Sequence, residues 1–240
     1  MTFSNSSGVE LSGVLSGSGD TCVILVHGFT SSKNSSTNIE LEKRFNLQGI
    51  ATFRFDIFGH GDSQGDFADI TLSEAKDDIL QAIEYVKSKG FTKIGLVGSS
   101  FGGNASILAA GESDDLFVLV LKCPVSDYVG KMVAQTDRYP LEEWKEKGFY
   151  LYRGERQLNY SFFADSEKID SYEYARRIKV PTLIVHGDVD VTVPVEQSKK
   201  LVEEISNAKL EIVEGAGHRF EGEDFDVVVG MIEEFVIKNK

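Results

Sequence analysis

Cysteine is scarce in this chain: Cys22 and Cys123 are the only two in 240 residues. Each lies in or beside an apolar run, "TCVILVHG" and "LFVLVLKCP". Two thiols supply neither a disulfide framework nor a zinc-ligand spacing, so both read as reduced, buried side chains. Positive charge is also short. Lys and Arg number 25 against 38 Asp and Glu, a formal net charge of −13. Binding a phosphate backbone needs basic patches, and none is evident, so nucleic acid is not an expected partner. An anionic membrane surface is disfavoured on the same ground. The opening "MTFSNSSGVELSG" has no basic segment followed by an apolar stretch. Apolar runs such as Leu116–Leu121 are far too short to span a bilayer. The expectation is a cytoplasmic, soluble protein. No internal repeat or low-complexity tract stands out.

What is present is a regular alternation. The length suits one large α/β domain, or one carrying an insertion, and 41% hydrophobic with 26% charged residues is a globular composition. The Gly- and Ser-rich "LSGVLSGSGD" reads as a β-hairpin tip. Short Val/Ile/Leu-rich runs then alternate with longer helical patterns. The expected strands are "CVILVHG", "IATFRFD", "FTKIGLVG", "LFVLVLK", "TLIVHG" and "KLEIVEG". The expected helices include "TLSEAKDDILQAIEYVKSKG", where Thr71 and Glu74 form a capping box and Leu72, Ala75, Ile79, Ala82, Ile83 and Val86 line one face. Apolar strands separated by helices predict a mostly parallel sheet covered on both faces. From Val125 to about Arg177 the strand pattern stops. Aromatics cluster there, including Tyr139, Trp144, Tyr150, Tyr152, Phe162 and Phe163. The stretch is too long for a plain connection. Either a helical cap is inserted over residues 125–177 of a core formed by 1–124 and 178–240, or an extra helical pair packs on that core.

Between one strand and one helix lies "VGSSFGGN", Val97 to Asn104. It is not a phosphate loop, because no Lys follows the glycines, and the dinucleotide spacing is absent. It fits G-x-S-x-G, read as Gly98-Ser99-Ser100-Phe101-Gly102. A serine on a sharp strand-to-helix turn needs nearly side-chain-free neighbours two residues to either side. Centring on Ser99 would put Val97 and Phe101 in those tight positions, so Ser100 is the candidate nucleophile. A serine hydroxyl needs a base. His218, in "EGAGHRF" between the last strand and the last helix, sits where ligands meet open α/β sheets. His27 and His186 end strands and read as structural, and His60 reads as a turn residue. "VHGDVDVTVP" offers Asp190 and Asp188 as the orienting acid; Asp188 also reads as a turn former, and Asp127 is a third option. Two backbone N–H groups must face the developing oxyanion, and Phe101 and Phe29 are the candidates.

The segments "VHGFTSS", "FRFDIFGHGDSQGDF", "GSSFGGN", "VHGDVDVTVP" and "EGAGHRF" occur in this order across nearly the whole chain. Together they resemble the α/β-hydrolase superfamily, and most closely its carboxylesterases of the cinnamoyl/feruloyl-esterase type. The resemblance implies an α/β-hydrolase fold with a cap after the sixth strand. It implies Ser100 as nucleophile, His218 as base, Asp190 rather than Asp188 as acid, and the Phe29 and Phe101 amides as oxyanion hole. It also makes Asp56 and His60 scaffold. The cap shows no match to the family's phenol-binding residues. The expectation is a serine carboxylesterase needing no cofactor or metal. Its expected partner is a small-molecule ester, and a homodimer is left open. A peptidase or thioesterase on the same residues is the alternative, and a non-catalytic ligand-binding protein of the same fold is the alternative of another class.

Overall fold

In the computed structural model, residues 1–135 and 139–240 are described. The chain runs β1 (Thr2–Ser4), β2 (Glu10–Ser16), β3 (Thr21–Val26), α1 (Ser36–Leu47), β4 (Ala51–Phe55), α2 (Leu72–Ser88), β5 (Lys93–Ser99), α3 (Phe101–Glu112) and β6 (Leu116–Lys122). Then come α4 (Tyr128–Ala134), α5 (Leu141–Lys147), β7 (Phe149–Tyr152), β8 (Arg156–Asn159), α6 (Ser161–Ser166) and α7 (Ser171–Ala175). The chain closes with β9 (Thr182–Gly187), α8 (Val195–Glu204), β10 (Ala208–Val213) and α9 (Glu223–Asn239).

An eight-stranded sheet has the order β1-β2-β4-β3-β5-β6-β9-β10. From β4 to β10 every neighbouring pair is parallel, while β1 and β2 are antiparallel to their neighbours. The central strands β3, β4 and β9 are buried along their whole length because both faces are covered. On β3, Cys22, Ile24 and Val26 pack into one cluster with α2 and α3, while Val23 and Leu25 pack into the other with α1 and α9. The expected α/β-hydrolase architecture is therefore present.

Two local expectations are corrected. "LSGVLSGSGD" is not a hairpin tip. It is β2 and the loop to β3, and β4 lies between those two strands in the sheet. A Gly-rich link reads the same whether its flanking strands pair or are spaced apart. The capping box on α2 is half formed: the Thr71 hydroxyl accepts from Glu74 N at 3.0 Å, but Glu74 Oε1 accepts from Asn5 Nδ2 at 2.6 Å. A long-range partner has taken the glutamate. The apolar face of α2 also carries a buried carboxyl, Asp78.

Residues 125–177 carry α4 to α7 together with the β7–β8 hairpin, so the expected purely helical cap is a mixed helix-and-hairpin layer. Residues 136–138 of that stretch lie outside the described residues. Alternation in "FYLY" and "RQLN" is only four residues per strand, too brief to stand out from a helical pattern. Trp144 anchors the layer: it is fully buried against Tyr150, Tyr160 and Phe163, and its Nε1–H donates to Leu158 O at 3.0 Å.

Candidate active site

The sheet order reverses between β4-β3 and β5-β6, and ligands meet such sheets at the carboxyl ends beside that switch. β3 ends into Phe29 and β5 ends into Ser100, so these residues come from the two strands that meet there. Ser100 holds φ 52° and ψ −109°, a conformation that a residue with a Cβ adopts only under constraint. The constraint is steric. A Cβ on Gly98 would lie 2.6 Å from Gly102 O, and one on Gly102 would lie 2.8 Å from Val26 Cγ1 and closer still to His27 O. The two glycines let α3 dock against the ends of β3 and β5, and the tight turn between β5 and α3 is what lifts Ser100. A backbone bond from Ser100 N to Lys122 O, 2.9 Å, ties the turn to β6.

The structure brings Ser100, His218 and Asp190 into a chain of hydrogen bonds. His218 Nε2 is 3.0 Å from Ser100 Oγ, and His218 Nδ1 is 2.6 Å from Asp190 Oδ2. With Nδ1–H donating to the carboxylate, Nε2 is free to accept the serine proton. Asp190 can accept because other donors fix it. Thr192 N and Val193 N donate to Oδ1 at 2.7 and 2.9 Å, and His186 Nε2 lies 3.2 Å from Oδ2. Burial raises the Asp190 carboxyl, but the His186 and His218 hydrogen bonds and the Val193 N–H outweigh it and hold it well below the usual carboxylate range. Burial pulls His218 below its ordinary 6.5, the Asp190 carboxylate pulls it back up, and the positive charges of Lys122 and Lys131 add to the lowering. The imidazole is consequently neutral at pH 7 and able to act as a base.

The other two acids have different places. Asp188 Oδ1 accepts from Gly215 N at 2.7 Å, joining the β9 and β10 loops. Asp127 caps α4, with Oδ1 accepting from Gly130 N at 2.7 Å. Among the described residues, neither the Phe29 nor the Phe101 N–H donates to a protein acceptor. Their rings meet edge to face at 5.3 Å, which places the two residues side by side.

The remaining histidines are structural, and what His27 and His60 hold in place is the site. His27 Nδ1 donates to Gly28 O at 2.8 Å, leaving Nε2 to accept from Ile57 N at 3.1 Å. His60 Nδ1 donates to Phe58 O at 2.9 Å, and its Nε2 accepts from Thr30 N at 3.3 Å. The Phe29 amide is thus bracketed by two imidazoles, one on Gly28 O and one on Thr30 N. Burial keeps both uncharged; His27 falls to about 3 and His60 is also lowered. Lys33 and Asp56, both buried and ion-paired, tie the same loop to the segment after β4. The signal in the sequence was a titratable residue closing an apolar run, as in "VILVHG" and "TLIVHG". Such a group, once buried, must have specific partners.

A cavity of 540 Å³ opens on Ser100 and His218. Its wall is aromatic, with Phe29 from the β3 loop and Tyr128, Tyr150, Tyr152 and Phe162 from the 125–177 layer. Among the described residues, one group has metal-ligand atoms close together: Cys123, His186 and Asp190, within 4.8 Å of one another. Their donors are already engaged. Asp190 is saturated as above, His186 Nδ1 is 2.7 Å from Ser198 Oγ, and burial pushes the Cys123 thiol up to about 12. The group buttresses the acid and is ill suited to a cation. No helix among the described residues is long and apolar enough to cross a membrane.

Comparison with known proteins gives a family and a fold. Residues 41–231 match the prolyl oligopeptidase family. The palmitoyl-protein thioesterase ABHD10, mitochondrial, of Bos taurus is 25% identical over 228 residues, covering 90% of this chain and 73% of that protein. The human serine hydrolase BPHL is 24% identical over 247 residues, covering 95% and 84%. Among solved structures, ferulic-acid-bound Est1E from Butyrivibrio proteoclasticus superposes with a TM-score of 0.85 at 25% identity, covering 100% of this chain and 98% of that one. Mouse alpha/beta hydrolase domain-containing protein 10 gives a TM-score of 0.83 at 22% identity, covering 100% and 99%. The chain belongs to the prolyl oligopeptidase family and is a hydrolase of the α/β-hydrolase fold.

Proposed function

We propose that the protein is a serine hydrolase of carboxylic esters that works through an acyl-enzyme on Ser100. The observation that carries this reading is the Ser100–His218–Asp190 hydrogen-bond chain, 3.0 and 2.6 Å long, ending on a serine in a strained turn. Ser100 Oγ attacks the acyl carbonyl as its proton passes to His218 Nε2. The imidazolium is stabilised by the Asp190 carboxylate. The Phe29 and Phe101 N–H groups receive the carbonyl oxygen as it becomes an alkoxide; lacking protein acceptors, they need no rearrangement to do so. His218 then protonates the leaving alcohol. A water, deprotonated by the same imidazole, attacks the acyl carbon and releases the acid and Ser100.

Residues 125–177 serve as a cap whose aromatic side chains hold an apolar or aromatic acyl group and exclude water. Ferulic acid bound to Est1E is consistent with a cinnamoyl-type acyl group here. The thioesterase names among the relatives favour thioesters as a second substrate class, because the acyl-enzyme is the same.

A fluorophosphonate probe should label Ser100 in the purified protein, and Ser100→Ala should abolish labelling. The same substitution should lower p-nitrophenyl ester turnover by about a thousandfold or more. Ser100→Ala turnover near wild type would remove the serine from the reaction. A panel of matched esters, thioesters and aminoacyl amides ranks the substrate classes, and amides hydrolysed faster than esters would replace the esterase reading with a peptidase.

A further inference from the structure

A second cavity, of 360 Å³, opens on Ser100 and His218 from the α1 side. The two cavities share Phe29, Thr30, Ser100, His218 and Arg219, but Glu221 and Asp224 line only the first. Ser36 and Thr37 bring the N-terminal turn of α1 to its wall, and Lys122 and Arg219 supply the cations. Among the described residues, none of those lining it is an aspartate or glutamate. In a chain of net charge −13, a wall carrying only positive side-chain charge stands apart from the rest of the surface.

Two independent features favour an anion here. The first is the helix end. α1 is 12 residues long with no acidic residue in its first turn, so the partial positive charge of its N-terminus is uncompensated. The second is Lys122, at the end of β6 and paired in register with Ser99. It is only 8% exposed. Among the described residues its ammonium has no carboxylate within ion-pair distance and no hydrogen bond; it lies 5.1 Å from the centre of the Phe220 ring. A lysine side chain that is nine-tenths buried with no anion on its ammonium is costly, and burial accordingly lowers its pKa. Arg219, next to His218, is exposed and also lacks an ion pair among the described residues.

We infer that this cavity receives an anionic group, carboxylate or phosphate, carried on the leaving-group half of the substrate. The inference rests on the acyl-enzyme reading above. The first cavity offers the wall of aromatic rings and takes the acyl chain, so the departing alcohol or thiol lies on the α1 side, where His218, which must protonate it, also lines the wall. Lys122 is then a specificity-determining residue, paired when substrate binds and unpaired otherwise.

The test compares wild type, Lys122→Met and Ser36→Asp. The second variant puts a carboxylate in the first turn of α1, where it favours the helix and so preserves the fold, while it repels an anion. The substrates are 4-acetoxybenzoate, its uncharged methyl ester, and the acetyl ester of 4-hydroxyphenyl phosphate. The readout is kcat/KM for each anionic ester divided by that for the neutral one. Each variant should lower this ratio about tenfold, as the loss of one charge-assisted contact implies. The phosphate and carboxylate arms show which anion is preferred. An unchanged ratio in both variants, with both esters hydrolysed, overturns the anion subsite and leaves the esterase reading standing. A matched pair with the carboxylate on the acyl side, mono-(4-nitrophenyl) succinate against 4-nitrophenyl butyrate, must not show the lysine-dependent preference. If it does, the placement on the leaving-group side is wrong. If wild type hydrolyses none of these esters, the esterase reading falls, and calorimetric titration with 4-hydroxybenzoate still decides the subsite. Binding to wild type that both variants lose supports it, and equal or absent binding overturns it.

Discussion

At the scale of single residues, the site is a set of protonation states held by burial. His218 is lowered by desolvation and by Lys122 and Lys131, against the pull of Asp190. A base with a depressed pKa stays neutral further into acid. The acid limb of the kcat/KM profile should therefore have its midpoint below 6.5, and a midpoint above 6.5 would show that Asp190 dominates. His60 makes a second case. Its Nε2 accepts from Thr30 N, one residue beyond the Phe29 amide, so it acts by positioning the loop. His60→Ala should lower kcat about tenfold with KM little changed, because a loosened oxyanion donor is missed mainly in the transition state. An equal loss spread over KM would instead mean that the substrate pocket had collapsed.

Elements are held by contacts that spacing only partly foreshadows. The serine turn is tight enough that Gly102→Ala must push a Cβ into His27 O. That substitution should destabilise by about 1–3 kcal/mol, read as a lower Tm, as overpacking does. On α2, the buried Asp78 carboxyl accepts from Phe58 N at 2.7 Å and from Asn5 Nδ2 at 3.0 Å, linking the helix to the loop after β4. Burial raises its pKa to about 7, despite the Phe58 and Asn5 hydrogen bonds. Between the unfolded value of 3.8 and about 7, the folded state holds a proton that the unfolded state has lost. This contribution to stability is therefore present at low pH and is lost as pH rises through that window. Asp78→Asn cannot ionise, so its Tm relative to wild type should climb from pH 4 to pH 8; a constant difference would refute the raised pKa.

For the whole molecule, the question is whether residues 125–177 unfold with the core. Tyr128, Trp144, Phe162 and Phe163 belong to the same apolar cluster as α2, α3 and the sheet. Trp144 is the only tryptophan, so its fluorescence reports on this layer alone, while far-ultraviolet dichroism is dominated by the core. Denaturation followed by the two signals should give superimposable transitions, as one shared core requires. Two separated transitions would make the layer an independently stable unit.

The sequence by itself determined the alternation of strands and helices, the parallel sheet and the glycine frame around Ser100. These rest on local rules: two-sided burial makes a strand uniformly apolar, and a strained turn tolerates only glycine beside it. Ser100 and His218 could be singled out because each follows a strand and such loops share one edge of the sheet, whereas the choice of Asp190 over Asp188 and Asp127 came from the family resemblance. Tertiary structure decided what depends on partners distant in the chain. It gave Glu74 to Asn5, set His27 and His60 around the Phe29 amide, and folded "FYLY" and "RQLN" into a hairpin within an aromatic layer. It also left Lys122 unpaired beside the nucleophile. Hydrogen-bond partners and desolvation are properties of three-dimensional neighbourhoods, and residue spacing along the chain does not encode them.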